Sequence, residues 1–356
     1  MIRLKSFYVY LTWKCNLLCK HCWVDANVND DRQTLDTQTL LKTCDEALDL
    51  GAQFVKFSGG EPLLCAEQLL CAAQHIKNKN NSTVLHLETN ATLIAPDYAK
   101  ELVLFDSVSV SLDSAQAKTH NQLRQNVHAF QDAIRGIDYL VANNVNVSVT
   151  SVISEPEKID DQITNLIELL KSIGVRKLKI NPIMRNGRAV QSQTDFYNID
   201  PLDMLDIQSK YINSKDVEVV IMLPCAYNFN PDKVTESKFH SCDCLSLISL
   251  LPNGDVGLCG EARKASELMF GNIYENSLSY IWKNSKKIIE LRSVVPNNMS
   301  GVCQTCLLKS TCKGGCRVDG LLSGGSIGSS SFICQSMYER GLFPFSIKSD
   351  QLTNIL

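Results

Sequence analysis

The sequence predicts an α/β fold built on a parallel sheet. Six β-branched or aromatic segments alternate with segments of helical periodicity over residues 1–185, the pattern of repeated strand–helix units. The strings that carry reactive groups fall just after those strands, where such sheets place their chemistry. A smaller C-terminal region is set apart by composition: residues 225–334 hold nine of the 15 cysteines, mostly in tight clusters, while residues 1–224 hold six.

The first strand is "FYVYLTW" (7–13), and "TQTLLKTCDEALDLG" (37–51) follows with apolar residues at helical spacing, ending at Gly51. "QFVKFSG" (53–59) is the second strand and Ala66–Lys77 the next helix. "TVLHLET" (83–89), "DSVSVSL" (106–112), "VNVSVTSVI" (145–153) and "RKLKINPI" (176–183) are further strands, with helical patterns near 96–104, 127–143 and 158–173. Right-handed crossovers would wind these into an open barrel or a doubly wound sheet. A boundary falls between about 185 and 240. The organisation expected is a barrel over 1–190, a linker or bridging region over 191–238, a cysteine-rich domain over 239–340 and a tail over 341–356.

The chain has 356 residues and a formal net charge of −3, which predicts no broad attraction to nucleic acid or anionic membranes. No apolar run reaches membrane-spanning length, and residues 1–13 lack a cleavage site and lead straight into cysteines, unlike a signal peptide. A cytoplasmic location is expected, where thiols stay reduced, so 15 cysteines point to metal or redox use.

"LTWKCNLLCKHCW" places Cys15, Cys19 and Cys22 in C-x3-C-x2-C. A disulfide needs two thiols and a closed zinc site four. Three thiolates on a cubane iron–sulfur cluster leave one iron open to a small molecule. A zinc site completed by His21 is the alternative. After the second strand comes "SGGEP", where Gly59 and Gly60 let backbone approach closely and Glu61 offers a carboxylate suited to an ammonium group.

Cys15, Cys19 and Cys22 together with Gly59-Gly60-Glu61-Pro62 resemble the radical S-adenosylmethionine (radical SAM) superfamily over roughly residues 5–185. The resemblance implies a partial (β/α)6 TIM-like barrel, S-adenosylmethionine held at the open iron, and its one-electron cleavage to a 5′-deoxyadenosyl radical that abstracts hydrogen. Trp23 matches an aromatic position near adenine. Thr89 and Asn90 match a polar pair that contacts SAM or substrate. Ser111 and Asp113 of "SLDS" match a motif reaching the ribose and methionyl end. Arg124 resembles the Arg of an H-D-x-x-R-G stretch that here reads "HNQLRQ", with Asn121 and Gln125 departing from it. "NPIMRNGRA" (181–189) resembles a P-x-G-x-A stretch that approaches SAM from the far side.

"CLSLISLLPNGDVGLC" (244–259) and "CQTCLLKSTCKGGC" (303–316), then Cys334, read C-x9-G-x4-C, C-x2-C-x5-C-x3-C and a last Cys. This order resembles the SPASM extension of radical SAM peptide-modifying enzymes. The resemblance implies a small C-terminal iron–sulfur domain with two auxiliary 4Fe-4S clusters. Cys244, Cys259 and Cys316 would hold the first; Cys303, Cys306, Cys312 and Cys334 would hold the second. Cys242 is the candidate fourth ligand of the first, with Cys225 or an open iron as alternatives. Cys44, Cys65 and Cys71 fall on helices and read as small buried hydrophobes.

The cofactors implied are thus SAM and three 4Fe-4S clusters, one SAM-binding and two auxiliary. The auxiliary pair implies an oxidative reaction on a precursor peptide: a thioether, a carbon–carbon cross-link or a Cα or Cβ oxidation. A flavodoxin- or ferredoxin-type reductant is the expected electron source, with neither nucleic acid nor membrane as partner. The first strand begins by about residue 6, so a leader peptide would dock on the barrel, on the SPASM part or on a separate leader-binding protein. The sulfatase-maturing branch has an Asp directly after the position of Cys259; here Gly260 stands there and Glu261 next, which disfavours aldehyde formation and makes Glu261 the candidate base. The alternatives are a radical SAM enzyme acting on a sugar or a tetrapyrrole side chain, and a non-catalytic electron carrier.

Overall fold

A computed structural model describes residues 2–30, 34–152, 159–183, 186–191, 200–211, 214–227 and 242–344. The strands are β1 (Ser6–Tyr10), β2 (Phe54–Ser58), β3 (Val84–Thr89), β4 (Ser107–Ser111), β5 (Val147–Val152), β6 (Lys177–Asn181), β7 (Glu218–Ile221), β8 (Leu247–Leu250), β9 (Asp255–Gly257) and β10 (Met269–Asn272). The helices of the repeat are α1 (Thr37–Asp49), α2 (Ala66–Lys79), α3 (Pro96–Glu101), α4 (Ala117–Arg124), α5 (Ala129–Ala142), α6 (Ile159–Ser172), α7 (Arg188–Gln191) and α8 (Pro201–Tyr211). C-terminal to the sheet lie α9 (Leu278–Asn284), α10 (Lys286–Val294), α11 (Lys309–Cys312), α12 (Arg317–Gly324) and α13 (Phe332–Glu339).

All ten strands form one open sheet in the order β10-β9-β8-β1-β2-β3-β4-β5-β6-β7. Strands β1 to β7 run parallel in sequence order, with crossover helices between them, so the fold is a partial barrel. Two expectations are corrected here. The repeat has a seventh parallel strand, β7, and the predicted linker 191–238 contains α8 and β7. In addition, β8 pairs in parallel with β1, so the cysteine-rich region opens by extending the barrel sheet itself. Both strands are four-residue segments, too short to announce themselves by periodicity. The part of the tail from residue 345 lies outside the described residues, as do residues 192–199 and 228–241 of the linker.

The alternation of the strands sorts their side chains. Phe7, Val9, Val55, Phe57, Leu85, Leu87, Val108, Val110, Leu178 and Ile180 are buried in the layer shared with the helices. The opposite face is polar. Lys56 Nζ lies 3.0 Å from Glu88 Oε1 and 4.1 Å from the centre of the Tyr8 ring. His86 Nδ1 meets Ser107 Oγ at 2.7 Å, and Ser109 Oγ meets Thr150 Oγ1 at 2.8 Å. α2 shows how periodicity sets the outer layer: Leu69, Ala72, Ala73 and Ile76 bury one stripe. Cys71 lies off that stripe and is exposed, which corrects its reading as a buried hydrophobe; Cys44 is buried and Cys65 half-buried. No described helix is long and apolar enough to cross a membrane.

Candidate functional site

β1 ends three residues before the predicted strand does, because Leu11–Cys15 leaves the ladder to grip the loop after β2. Leu11 N–H donates to Ser58 O, Gly60 N–H to Thr12 O at 2.6 Å and Glu61 N–H to Lys14 O at 2.8 Å. A Cβ on Gly60 would collide with Lys14 O and come within 2.8 Å of Trp13 O; one on Gly59, whose φ is +145°, would reach 2.5 Å from Thr12 O. These glycines let two backbones touch and thereby set the position of Cys15. Gly60→Ala is expected to force the loops apart, destabilise the protein by about 1–3 kcal/mol and lower its iron content. Thermal melting and iron analysis check this, and an unshifted melt would contradict it.

Each sulfur of the triplet is met by donors. Leu17 N–H lies 3.4 Å and Asn90 Nδ2 3.9 Å from Cys15 Sγ, Ala26 N–H 3.4 Å from Cys22 Sγ, and Arg124 Nη1 3.7 Å from Cys19 Sγ. Burial pushes the Cys15 thiol up to about 12, and raises Cys19 against the pull of Arg124. Among the described residues, no three or more His, Cys, Asp or Glu side chains form a group that could hold a single metal ion. A cubane takes one thiol per iron, so its ligands stand apart, and the N–H donors around these sulfurs suit thiolates sharing such a cluster. His21 is half-buried, with Asp113, Arg124 and Arg188 as its charged neighbours, and desolvation lowers its pKa to about 4.

Glu61 ties the loop after β2 to β3. Its side chain is fully buried, and its carboxylate accepts from Leu63 N–H at 3.0 Å, Thr89 Oγ1 at 2.6 Å and Asn90 N–H at 2.8 Å. It pins the end of β3 to the loop after β2 and positions Asn90. Asp113 and Arg124 form a buried pair. Arg124 Nε and Nη2 grip both Asp113 oxygens at 2.6 and 2.9 Å, away from solvent, and Asp113 Oδ1 also accepts from Val152 N–H. Burial alone would raise the Asp113 carboxyl; Arg124 outweighs it and holds the group at about 2. Ser111 is half-buried at the end of β4. Trp23 stands edge-on to Tyr10 at 5.9 Å, and a Cβ on Gly260 would meet both rings.

The loop after β6 closes the triplet from the other side. Arg188 N–H donates to Cys22 O at 3.0 Å, Arg188 Nε to Cys19 O at 2.9 Å, and Nη1 pairs with Asp25 at 2.9 Å. Gly187, at φ +62°, packs against the Cys22 and Trp23 carbonyls. Met184 and Arg185 of this stretch lie outside the described residues.

The C-terminal cysteines separate into two sets. Cys242, Cys259 and Cys316 gather with Glu261, and Cys244 adjoins Cys242. Cys303, Cys306, Cys312 and Cys334 line one small apolar cavity with Ala226, Leu308 and Phe343. Cys225, the alternative ligand for the first set, belongs instead beside Cys312 of the second. Arg317, adjacent in sequence to Cys316, is 1 % exposed, and its guanidinium donates to the carbonyls of Gly314, Ile327 and Ser329 but to no carboxylate among the described residues. A buried cation without an anion is costly. Its neighbours include Cys244, Cys303 and Cys312, so clusters carrying net negative charge on these thiolates would balance it. The donor sets therefore fit iron–sulfur clusters.

The description "Radical SAM superfamily" matches residues 9–170, and "Iron-sulfur cluster-binding domain" (SPASM) matches residues 242–307. The chain belongs to the radical SAM superfamily. It is a radical SAM/SPASM enzyme, a class that uses SAM and 4Fe-4S clusters. It is 26% identical over 326 residues to an AdoMet-dependent heme synthase of Methanosarcina barkeri, covering 86% of this chain and 89% of that one. It is also 26% identical over 319 residues to the mycofactocin maturase MftC of Mycobacterium tuberculosis, covering 86% and 76%. In fold it is similar to Streptococcus suis SuiB, solved with S-adenosylmethionine (TM-score 0.74) and with its precursor peptide SuiA (TM-score 0.73), at 18% identity over 94% of this chain and 77% of that one.

Glu261 projects from the turn after Cys259 toward the polar barrel face, where its electrostatic neighbours are Lys56, Glu88 and Lys179. Burial raises its pKa, with Lys56 and Lys179 opposing. Lys179 makes no hydrogen bond or close ion pair with a described residue, and the Asn181 side-chain oxygen is buried without a partner among them. Lys56, Glu88, Lys179, Arg188 and Arg317 escaped the sequence reading. Charged residues within otherwise apolar alternating strands, as in "FVKFS", "VLHLET" and "KLKIN", were the available signal for the first three.

Proposed function

We propose that this radical SAM enzyme oxidatively modifies a peptide, with SAM bound at a cluster on Cys15, Cys19 and Cys22. A first auxiliary cluster would use Cys242, Cys244, Cys259 and Cys316, and a second Cys303, Cys306, Cys312 and Cys334. When bound, the barrel cluster and SAM supply one-electron cleavage to methionine and a 5′-deoxyadenosyl radical, which takes a hydrogen atom from the substrate. The barrel and the cysteine-rich region share one sheet, so residues from both face the same interior.

The observation that carries the oxidative reading is Glu261, a raised-pKa carboxylate placed between the first auxiliary cysteines and the polar barrel face. A substrate that has lost a hydrogen atom must lose one electron and one proton to become a closed-shell product. Glu261 is placed to take the proton, and the cysteines beside it would hold the electron acceptor. Lys179 and the Asn181 oxygen are available to a substrate's carboxylate and amide N–H groups. The peptide reading draws support from the maturase relatives and from the fold shared with a peptide-bound enzyme.

Glu261→Gln is expected to keep forming 5′-deoxyadenosine while product falls at least about a hundredfold, the low end for loss of a positioned base. The test incubates the reduced, reconstituted enzyme with SAM and each short peptide found encoded beside its gene, and follows the peptide by mass spectrometry. A peptide lighter by two hydrogens supports the reading. The heme synthase relatives favour a second reading, a tetrapyrrole carboxylate substrate. An unchanged peptide together with consumption of Fe-coproporphyrin III, the compound in another relative's name, in a parallel incubation would select it.

A further inference from the structure

The second auxiliary set has one thiol too many. Four cysteines line its cavity, and a fifth, Cys225, is fully buried beside Cys312. Cys225 opens a short 3-10 turn, Cys225–Tyr227, closed by the Tyr227 N–H bonding to Pro224 O at 3.0 Å. Ala226 supplies part of the cavity wall. Tyr227 packs on the apolar cluster of Ala226, Val302, Cys306, Cys334 and Phe343. Its ring stands edge-on to Phe343 at 6.2 Å and 81°. Its hydroxyl oxygen is buried and has no partner among the described residues.

That hydroxyl needs explaining. An unsatisfied buried hydroxyl is costly. The groups beside it are Cys306 and Cys334. A cubane on these cysteines fills the cavity with sulfurs able to accept an O–H hydrogen bond.

We propose that the Cys225–Tyr227 turn caps the second auxiliary cluster and sets its reduction potential, with Tyr227 Oη and Cys225 donating hydrogen bonds to its sulfurs and neither acting as a ligand. The inference rests on the reading that Cys303, Cys306, Cys312 and Cys334 hold a cubane. Donors at the sulfurs stabilise the more negative, reduced form and so raise the potential. The first auxiliary set has the opposite surroundings, with the Glu261 side chain beside Cys242, Cys259 and Cys316. The two sets are thereby ordered, with the second the more easily reduced and the resting place of an electron taken from substrate.

The test is an anaerobic redox titration followed by electron paramagnetic resonance on the full-length reconstituted protein, with iron analysis, for wild type, Tyr227→Phe, Cys225→Ala and Cys225→Ser. About twelve irons per chain are expected in all four, four for each cubane. In Tyr227→Phe one of the cluster midpoints should move negative, so that at the wild-type midpoint its reduced-to-oxidised ratio falls about tenfold, about 59 mV for a one-electron couple. The other two should stay in place. Cys225→Ala should move the same midpoint in the same direction, and Cys225→Ser should restore part of the shift. Unmoved midpoints at full iron would overturn the proposal. Loss of about four irons in Cys225→Ala and Cys225→Ser alike would make Cys225 a ligand and overturn its assignment as a donor. A wild type with about eight irons or fewer would instead remove the cluster reading on which the proposal stands. Should the Cys225 variants fail to fold, Tyr227→Phe decides, since it removes a single oxygen from a side chain whose packing it preserves.

Discussion

The protein with Cys15, Cys19 and Cys22 all replaced by Ala is expected to form no 5′-deoxyadenosine while keeping about eight of about twelve irons, because each cubane carries four. The reason is spatial. The sulfurs of the triplet are met by groups from its own loop and from Asn90 and Arg124, all in the barrel. The other two sets are assembled from residues 242–334, with Arg317 among them. Removing the first site therefore leaves the ligands and charge balance of the other two intact. Iron analysis and product detection after dithionite reduction read both halves of the prediction. Persistent 5′-deoxyadenosine from this protein would sink the assignment of SAM to the triplet, and loss of nearly all iron would show that the three sites do not assemble independently.

Asp113→Asn is expected to destabilise the fold by about 3–5 kcal/mol, the range for breaking a buried ion pair by removing one partner. Arg124 would be left as a cation away from solvent, facing only the Cys19 sulfur. It would also lose the bidentate grip that aims it, so iron in the barrel site should fall along with stability. The same pair predicts a pH dependence. The folded Asp113 pKa, about 2, lies below the ordinary value of about 3.9. The unfolded chain therefore takes up the proton first on acidification. The pair's contribution is fully present above about pH 4, and is lost as pH falls from about 4 through 2, an amount on the order of 2 kcal/mol. Denaturant midpoints of wild type and Asp113→Asn between pH 3 and 7 check this. A variant as stable as wild type at pH 7, or a difference that grows as the pH falls below 4, would contradict it.

Much of the scaffold was legible because it is local. Alternation over five or six residues identifies β2 through β6, and the stripe of Leu40, Cys44 and Ala47 identifies α1. β7 and β8 were missed because four apolar residues carry too little pattern to separate a strand from a loop, and their pairing with β6 and β1 supplies what their own sequences lack. The break of the predicted helix 96–104 into α3 and a 3-10 turn at Leu102–Leu104 is a similar case.

The reactive inventory was set by the sequence itself. Cysteine spacing is covalent, and the intervals in C-x3-C-x2-C and C-x2-C-x5-C-x3-C are properties of the chain before it folds. Their division into a barrel triplet and a C-terminal group follows from position alone. What each polar side chain touches was decided only in three dimensions. Glu61 meets Thr89 across 28 positions, Arg124 reaches Cys19 across 105, and Arg188 reaches Cys19 across 169. Cys225 joins Cys312 rather than the first auxiliary set, and Glu261 reaches a barrel face whose Lys56, Glu88 and Lys179 come from three separate strands. Hydrogen bonds and ion pairs act over about 3–4 Å, so a side chain's partner is whatever the topology brings that close, and no spacing rule encodes it.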